Sequence, residues 1–296
     1  MKFLPTTKEE MKNLGWDSID VLLISGDTYL DTSYNGSALV GKWLVEHGFK
    51  VGIIAQPEVD VPDDITRLGE PNLFFAISGG CVDSMVANYT ATKKRRQQDD
   101  FTPGGENNKR PDRAVLVYSN MVRRFFKGTT KKIVISGIES SLRRITHYDY
   151  WTNKLRKPIL FDAKADILSY GMGEMSMLQL ATALKNGEDW QNIRGLCYLS
   201  KENKEDYLSL PSHSECLADK DKFIEAFHTF YLNCDPITAK GLCQKCDDRY
   251  LIQNPPSESY SEEIMDKIYA MEFARDVHPY YKKMGAVRAL DTIKYS

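Results

Sequence analysis

Six short runs of apolar, largely β-branched residues, each closed by a turn-forming residue, constrain this chain more than any other feature. They read IDVLLISGD (19–27), KVGIIAQP (50–57), NLFFAISGG (72–80), AVLVYSN (114–120), KIVISGIE (132–139) and ADILSYGMGE (165–174). Their apolar residues continue almost without alternation, the pattern of strands covered on both faces rather than wetted on one. Helical spacing fills most of the gaps. GSALVGKWLVEHG follows the first run, with Leu39, Trp43 and Leu44 on one side and Gly48 as a C-cap. SMVANYTATKK follows the third, and MSMLQLATALKNG follows the sixth and stops at Gly187. Strand, helix, strand in this rhythm predicts parallel pairing through right-handed crossovers. The fold class expected is α/β: a doubly wound, mostly parallel open sheet of Rossmann-like type over residues 1–190, with a helical, irregular extension over 191–296.

Such a sheet also predicts where a site lies. Ligands of open α/β sheets sit beyond the carboxyl ends of the strands, where strand order reverses. The residues there are Gly26 and Asp27, Gly79 and Gly80, Gly137 and Glu139, and Gly171, Gly173 and Glu174. Glycine lets backbone approach a ligand closely, although any tight strand-to-helix turn also needs glycine. Gly26, Asp27, Gly79, Gly80, Gly137, Gly171, Gly173 and Glu174 are therefore the candidate cofactor- or substrate-binding residues. The stretch GIESSLRRITHYDYW adds the catalytic candidates Glu139, Arg143, His147 and Asp149. Arg143 and His147 stand four apart, so one helix face would carry both. A structural reading stands beside the catalytic one: Arg143, Arg144 and Asp149 as ion pairs between a helix and neighbouring strands.

Bulk properties remove whole classes of function. A net charge of −2 over 296 residues gives no reason to expect nucleic acid or an anionic membrane as partner. No run approaches a membrane span, and the first residues lack the apolar segment of a signal peptide. Six cysteines in so long a chain do not make a disulfide scaffold, so reduced thiols and a cytoplasmic protein are expected.

Two regions depart from the strand–helix rhythm. Residues 93–113 form a polar insertion too long for an ordinary connection. Its basic run Lys93–Arg96 reads either as a holder of phosphate or carboxylate or as solvated charge balanced by Asp99 and Asp100. Beyond residue 189 come a polar hairpin-like piece, a helix capped by Asp219, a proline-rich stretch and a helix over 262–274 that buries Ile264, Ile268, Met271 and Phe273. The last residues, VRALDTIKYS, read as the opening of a strand without partners, as in a divided or truncated polypeptide.

Cys243 and Cys246 form a CxxC, with Cys234 upstream. Zinc needs four ligands, so these three would need a residue such as His228, which makes zinc a weak alternative to incidental thiols. No nucleophile elbow, Walker loop, HExxH or GxGxxG is present.

Several segments together carry a resemblance. FLPTTKEEMKNLGWDSIDVLLISGDTYLD, DSMVANYTATKKRR, FTPGGENNKRPDRA, GIESSLRRITHYDYW, ADILSYGMGE, IQNPP and HPYY, in this order, resemble the N-terminal region of YgiQ-type radical SAM proteins over essentially the whole chain. The resemblance implies a cobalamin-domain-like α/β unit ahead of a radical SAM barrel. In that barrel a CxxxCxxC loop holds a [4Fe-4S] cluster whose open iron binds S-adenosylmethionine. No CxxxCxxC occurs here, so this chain is not expected to bind the cluster itself. The partner implied is the barrel, fused or on a separate chain. The expected role is to position substrate or cover the barrel mouth, with a cobalamin-like cofactor or nucleotide module, or a docking subunit, as the alternative. Cobalamin would have to bind without the histidine of a DxHxxG loop, which is absent.

Overall fold

The computed structural model describes residues 1–293. Nine strands make one sheet: β1 Val21–Ser25, β2 Val51–Ala55, β3 Phe74–Ser78, β4 Lys132–Ser136, β5 Ile167–Ser169, β6 Leu196–Ser200, β7 Leu208–Leu210, β8 Leu242–Cys246 and β9 Arg249–Gln253. Their order across the sheet is β7-β8-β9-β6-β5-β4-β3-β1-β2. The segment β2-β1-β3-β4-β5 is parallel throughout. The chain runs outward from β1 to β2 and then returns to the far side of β1 to lay down β3, so strand order reverses beside β1. This is the doubly wound α/β architecture expected from the runs.

Alternation sorts the core into two layers. Leu23, Ala76, Val134 and Ile167 face the helices Gly36–Glu46 and Gly173–Asn186, whose inner sides contribute Ala38, Leu44, Met177 and Leu180. Leu22, Ile24, Phe75, Ile77, Ile133 and Ile135 face the other way, into a layer with Val115, Tyr118, Met121 and Val122. The parallel strands are buried on both faces, which is why their sequences run apolar without alternation.

Five of the six runs are strands. The fourth, AVLVYSN, instead opens the helix Ala114–Phe125. A short apolar run does not distinguish strand from helix, and here the residues beyond it decide. Val115, Tyr118, Met121 and Val122 are buried at helical spacing, while Asn120, Arg123 and Arg124 are exposed. The helix after the third run is also shorter than read: it spans Ser84–Asn88 and ends where Tyr89 turns extended.

The C-terminal region carries the helices read from sequence, among them Lys220–Leu232 with Asp219 accepting from the Asp221 amide at 2.8 Å. It also supplies β6 to β9, which the sequence reading did not anticipate. These strands are short, and the pairing of β6 with β5, on which the other three are laid, was not visible locally. The sheet passes residue 190 without a break. The helix near the end is Glu262–Ala270; Ile264 and Ile268 are half-buried and Met271 is buried just beyond it. The expected terminal strand is a helix, Ala289–Ile293, as far as the described residues go; residues 294–296 lie outside them. The segment before it returns to the front of the sheet. Asp276–Val277 pairs with Leu30–Asp31, and the Tyr281 hydroxyl accepts from the Ala55 amide at 2.8 Å and from Arg67 Nη2 at 2.6 Å. No described helix is long and apolar enough to cross a membrane.

Candidate functional site

One row of side chains sets the character of the strand ends. Ser25, Ser78, Ser136 and Ser169 stand in register on four adjacent parallel strands. Register in a parallel sheet points them to one face, the face of helices 36–46 and 173–186. One turn lower that face is filled by Leu23, Ala76 and Val134. At the serine row the side chains shrink, and a cleft of about 420 Å³ opens above Ser78, Ser136 and Ser169. That size is within the range of small-molecule sites.

The cleft walls are the first turns of two helices. Asn35 caps helix 36–46, its Oδ1 accepting from the amides of Ser37 at 3.1 Å and Ala38 at 3.4 Å. Its Nδ2 is buried and has no partner among the described residues. Helix 173–186 begins at Gly173 without a side-chain cap and adds Glu174 and Met177. Tyr34, Cys81, Ile138 and Met172 complete the lining. Gly137 needs its residue type here: its φ is +81°, and a Cβ would lie 2.8 Å from Ser78 Oγ. Among the described residues, neither lysine, arginine nor histidine lines the cleft. Glu174, which lines the cleft, accepts from the Tyr260 hydroxyl at 2.7 Å. Burial pushes the Tyr260, Tyr34 and Cys81 groups upward, so all three stay neutral near pH 7.

The sequence candidates divide. Gly80, Gly137, Gly171, Gly173 and Glu174 line the cleft. Gly26, Asp27 and Gly79 lie behind it, in a packed polar network. The buried guanidinium of Arg110, from the insertion, donates to Asp27 Oδ1 at 2.6 Å, to Asp99 at 3.1 Å and to the Gly26 carbonyl at 3.0 Å. The Cys81 amide donates to Asp27 Oδ2 at 2.6 Å. Burial pushes the Asp27 carboxyl upward, and Arg110 and the Cys81 amide pull it back. Gln56 closes the group by donating to the Gly26 carbonyl and to Thr102.

Glu139 holds two helices. Its Oε2 accepts from the Ser84 amide at 3.0 Å and its Oε1 from the Val115 amide at 3.2 Å, so one carboxylate serves the N-termini of helices 84–88 and 114–125. Burial raises its pKa, with the Ser84 hydrogen bonds acting against the shift. Arg143 clamps Asp83, the cap of helix 84–88, and donates to the Glu139 carbonyl at 3.0 Å. His147 lies on the edge of a recess of only about 10 Å³, room for one water at most. Its Nδ1 donates to the Ile145 carbonyl at 3.1 Å, and burial and then Arg143 lower its pKa to about 4. Asp149 is buried and accepts from Arg113 at 2.8 Å; burial works against its charge, but Arg113 and Thr152 hold it down at about 2. None of these four lines the cleft.

The basic run of the insertion is also occupied. Lys93 donates to the carbonyls of Tyr150 at 3.0 Å and Trp151 at 3.3 Å, and Arg96 to that of Tyr89 at 3.1 Å. Cys243 and Cys246, three apart on β8, project to opposite faces, while Cys234 and His228 are exposed on or just after helix 220–232. Among the described residues no group of three or more His, Cys, Asp or Glu is placed to hold a metal ion. A [4Fe-4S] cluster needs grouped thiolates, and the described cysteines are not grouped to fit one.

Sequence reasoning missed Tyr34, Asn35, Val40, Met177 and the serine row. The serines had a signal: Ile-Ser-Gly occurs at 24–26, 77–79 and 135–137. Tyr34 and Asn35 had none, because they reach the cleft through the irregular path after β1.

A doubly wound α/β sheet with a ligand-sized cleft at its switch point is the class of protein that fold and site define. Within that class the chain belongs to the Radical SAM N-terminal family, whose model matches residues 3–296. It is 96% identical over 296 residues to UPF0313 protein FN0734 of Fusobacterium nucleatum, covering 100% of this chain and 52% of that protein. It is 50% identical to a UPF0313 protein of Thermotoga neapolitana, covering 99% of this chain and 52% of the relative. The chain thus spans about half the length of the curated relatives it matches. Among solved structures, the radical S-adenosylmethionine methyltransferase TsrM from Kitasatospora setae, with cobalamin and a [4Fe-4S] cluster bound, aligns at 16% identity and a TM-score of 0.42, over 61% of this chain and 27% of that one.

Proposed function

We propose that this chain is the N-terminal domain of a radical SAM enzyme and that its strand-end cleft positions substrate at the mouth of a catalytic barrel. The chain is the N-terminal part of a radical SAM family protein. In the complete enzyme the [4Fe-4S] cluster and S-adenosylmethionine would supply the radical, and they would sit outside this chain. The observation that carries the reading is the cleft itself: about 420 Å³ at the switch point, floored by hydroxyls and, among the described residues, free of cationic side chains. Its apolar walls, Val40, Ile138, Met172 and Met177, would shield a bound group from water, and the serines would orient it without competing for protons. The twofold length of the relatives supports a fused barrel rather than a separate subunit.

A second reading has one observation in its favour. The buried, unpartnered Asn35 Nδ2 at the cleft wall offers a fixed donor of the kind a cofactor or nucleotide module uses.

The test uses the family-length Fusobacterium relative, with Ser136→Trp filling the cleft. S-adenosylmethionine cleavage by the reduced protein is measured with and without the small-molecule fraction of a cell extract. Stimulation by the extract is expected to vanish while the unstimulated rate and the thermal midpoint persist. Equal stimulation in variant and wild type would refute the positioning role.

A further inference from the structure

The helix Lys220–Leu232 has an anomalous outer side. Its inner side is ordinary: Ala226 is buried, and Phe230 lies under the Arg144 guanidinium at 4.3 Å from its ring centre. The outer side should be polar, yet Ile224, Phe227 and Tyr231 occupy it at i, i+3, i+7 spacing with 60%, 55% and 67% of their surface exposed. Phe227 and Tyr231 stack on each other, ring centres 6.5 Å apart. Leu217, Leu232 and Ile237, before and after it in the chain, are exposed as well, Ile237 at 87%. Around it stand exposed charges of both signs, such as the Lys222–Glu225 pair. An apolar, aromatic centre inside a polar rim is the anatomy of a protein interface, and soluble monomers rarely leave such a patch open.

We infer that this helix face is the seat of the second half of the family-length polypeptide, a contact separate from the strand-end cleft. The inference rests on the chain being the N-terminal part of a longer protein. Length selects the occupant. The matched relatives carry a further stretch about as long as this whole chain, since 52% of their length is covered here. A tethered segment meets the patch at an effective concentration of about millimolar, far above that of a second molecule in dilute solution. Arg144, three residues beyond the end of the short helix Gly137–Ser141, lies against both Phe230 and Tyr170, the residue after β5. Both rings belong to the core layer opposite the one that carries the cleft, so the helix and its patch are set on the other face of the sheet.

Hydroxyl-radical footprinting of this chain and of the family-length relative tests the inference. Oxidation of Phe227 and Tyr231 is expected to fall by about an order of magnitude in the longer protein, as for side chains in a packed interface centre. Ile224→Glu with Phe227→Glu should restore fast oxidation of Tyr231 there and leave the thermal midpoint of this chain unchanged. Equal oxidation in both proteins overturns the inference. So does sedimentation showing that this chain dimerises through the same residues and that the longer protein does too, which would make a second copy the occupant. Protection of cleft residues such as Met172 without protection of Phe227 and Tyr231 would sink this contact alone and leave the positioning role standing.

Discussion

The carboxyl ends of the parallel strands build two regions of opposite kind within a few residues of each other. Behind β1 and β3 lies a network in which Asp27, Asp99, Arg110, Gln56 and Thr102 are buried and bonded to one another, with Arg110 Nη1 left without a partner among the described residues. On the face of helices 36–46 and 173–186 lies the cleft, made of serine, glycine and apolar side chains with one carboxylate at its edge. The charged groups that look chemical in sequence are mostly spent on holding loops and helix ends. The open space is lined by residues that look inert. A charge brought to a strand end must be paired or solvated, so charge gathers where the chain needs fastening, whereas a small hydroxyl costs little to leave facing a cavity.

The sharpest test of this contrast is Arg110→Ala. It strands two buried carboxylates and should cost about 3–5 kcal/mol, whereas Ser136→Ala in the cleft should cost about 0.5 kcal/mol or less. Urea unfolding measures both, and a loss below about 1 kcal/mol for Arg110→Ala would dissolve the distinction between the regions. Glycines give the next contrast. A Cβ on Gly26 would lie 2.1 Å from the Gly79 carbonyl oxygen, while one on Gly173 meets nothing closer than 3.7 Å. Gly26→Ala should destabilise by about 1–3 kcal/mol, and Gly173→Ala, in a helical first turn, should be neutral or slightly stabilising. Similar thermal midpoints for the two variants would refute it.

The smallest expected effects are in pH. His147 titrates at about 4 in the fold against 6.5 ordinarily, so the unfolded chain binds its proton first and stability falls as pH drops from 6.5 toward 4. Asp149 titrates at about 2 against 3.8, so its contribution is complete above 3.8 and is lost as pH falls toward 2. His147→Gln should flatten the first window of the urea midpoint against pH, and Asp149→Asn the second. An unaltered wild-type slope in either variant counts against that assignment.

Particular elements show how far local reading reaches. The five buried strands were legible because burial on both faces leaves an unbroken apolar run. Helices 36–46 and 173–186 were legible because their spacing and terminal glycines agree. AVLVYSN was misread because five apolar residues fit either period. Glu139, Arg143 and Asp149 were legible as unusual, but their partners Ser84, Asp83 and Arg113 lie 36 to 60 residues away in sequence, beyond any local pattern.

By itself the sequence determined a doubly wound sheet whose strand ends carry glycine and serine, because hydrophobic period and turn chemistry act over a few residues and do not need the rest of the chain. Only the tertiary structure decided which strand ends stay open. That choice depends on where Arg110 of the insertion comes to rest, how four serines align across hydrogen-bonded strands, and which two helices lean over them. Those are distances between residues far apart in the chain, set by the packing of the whole sheet.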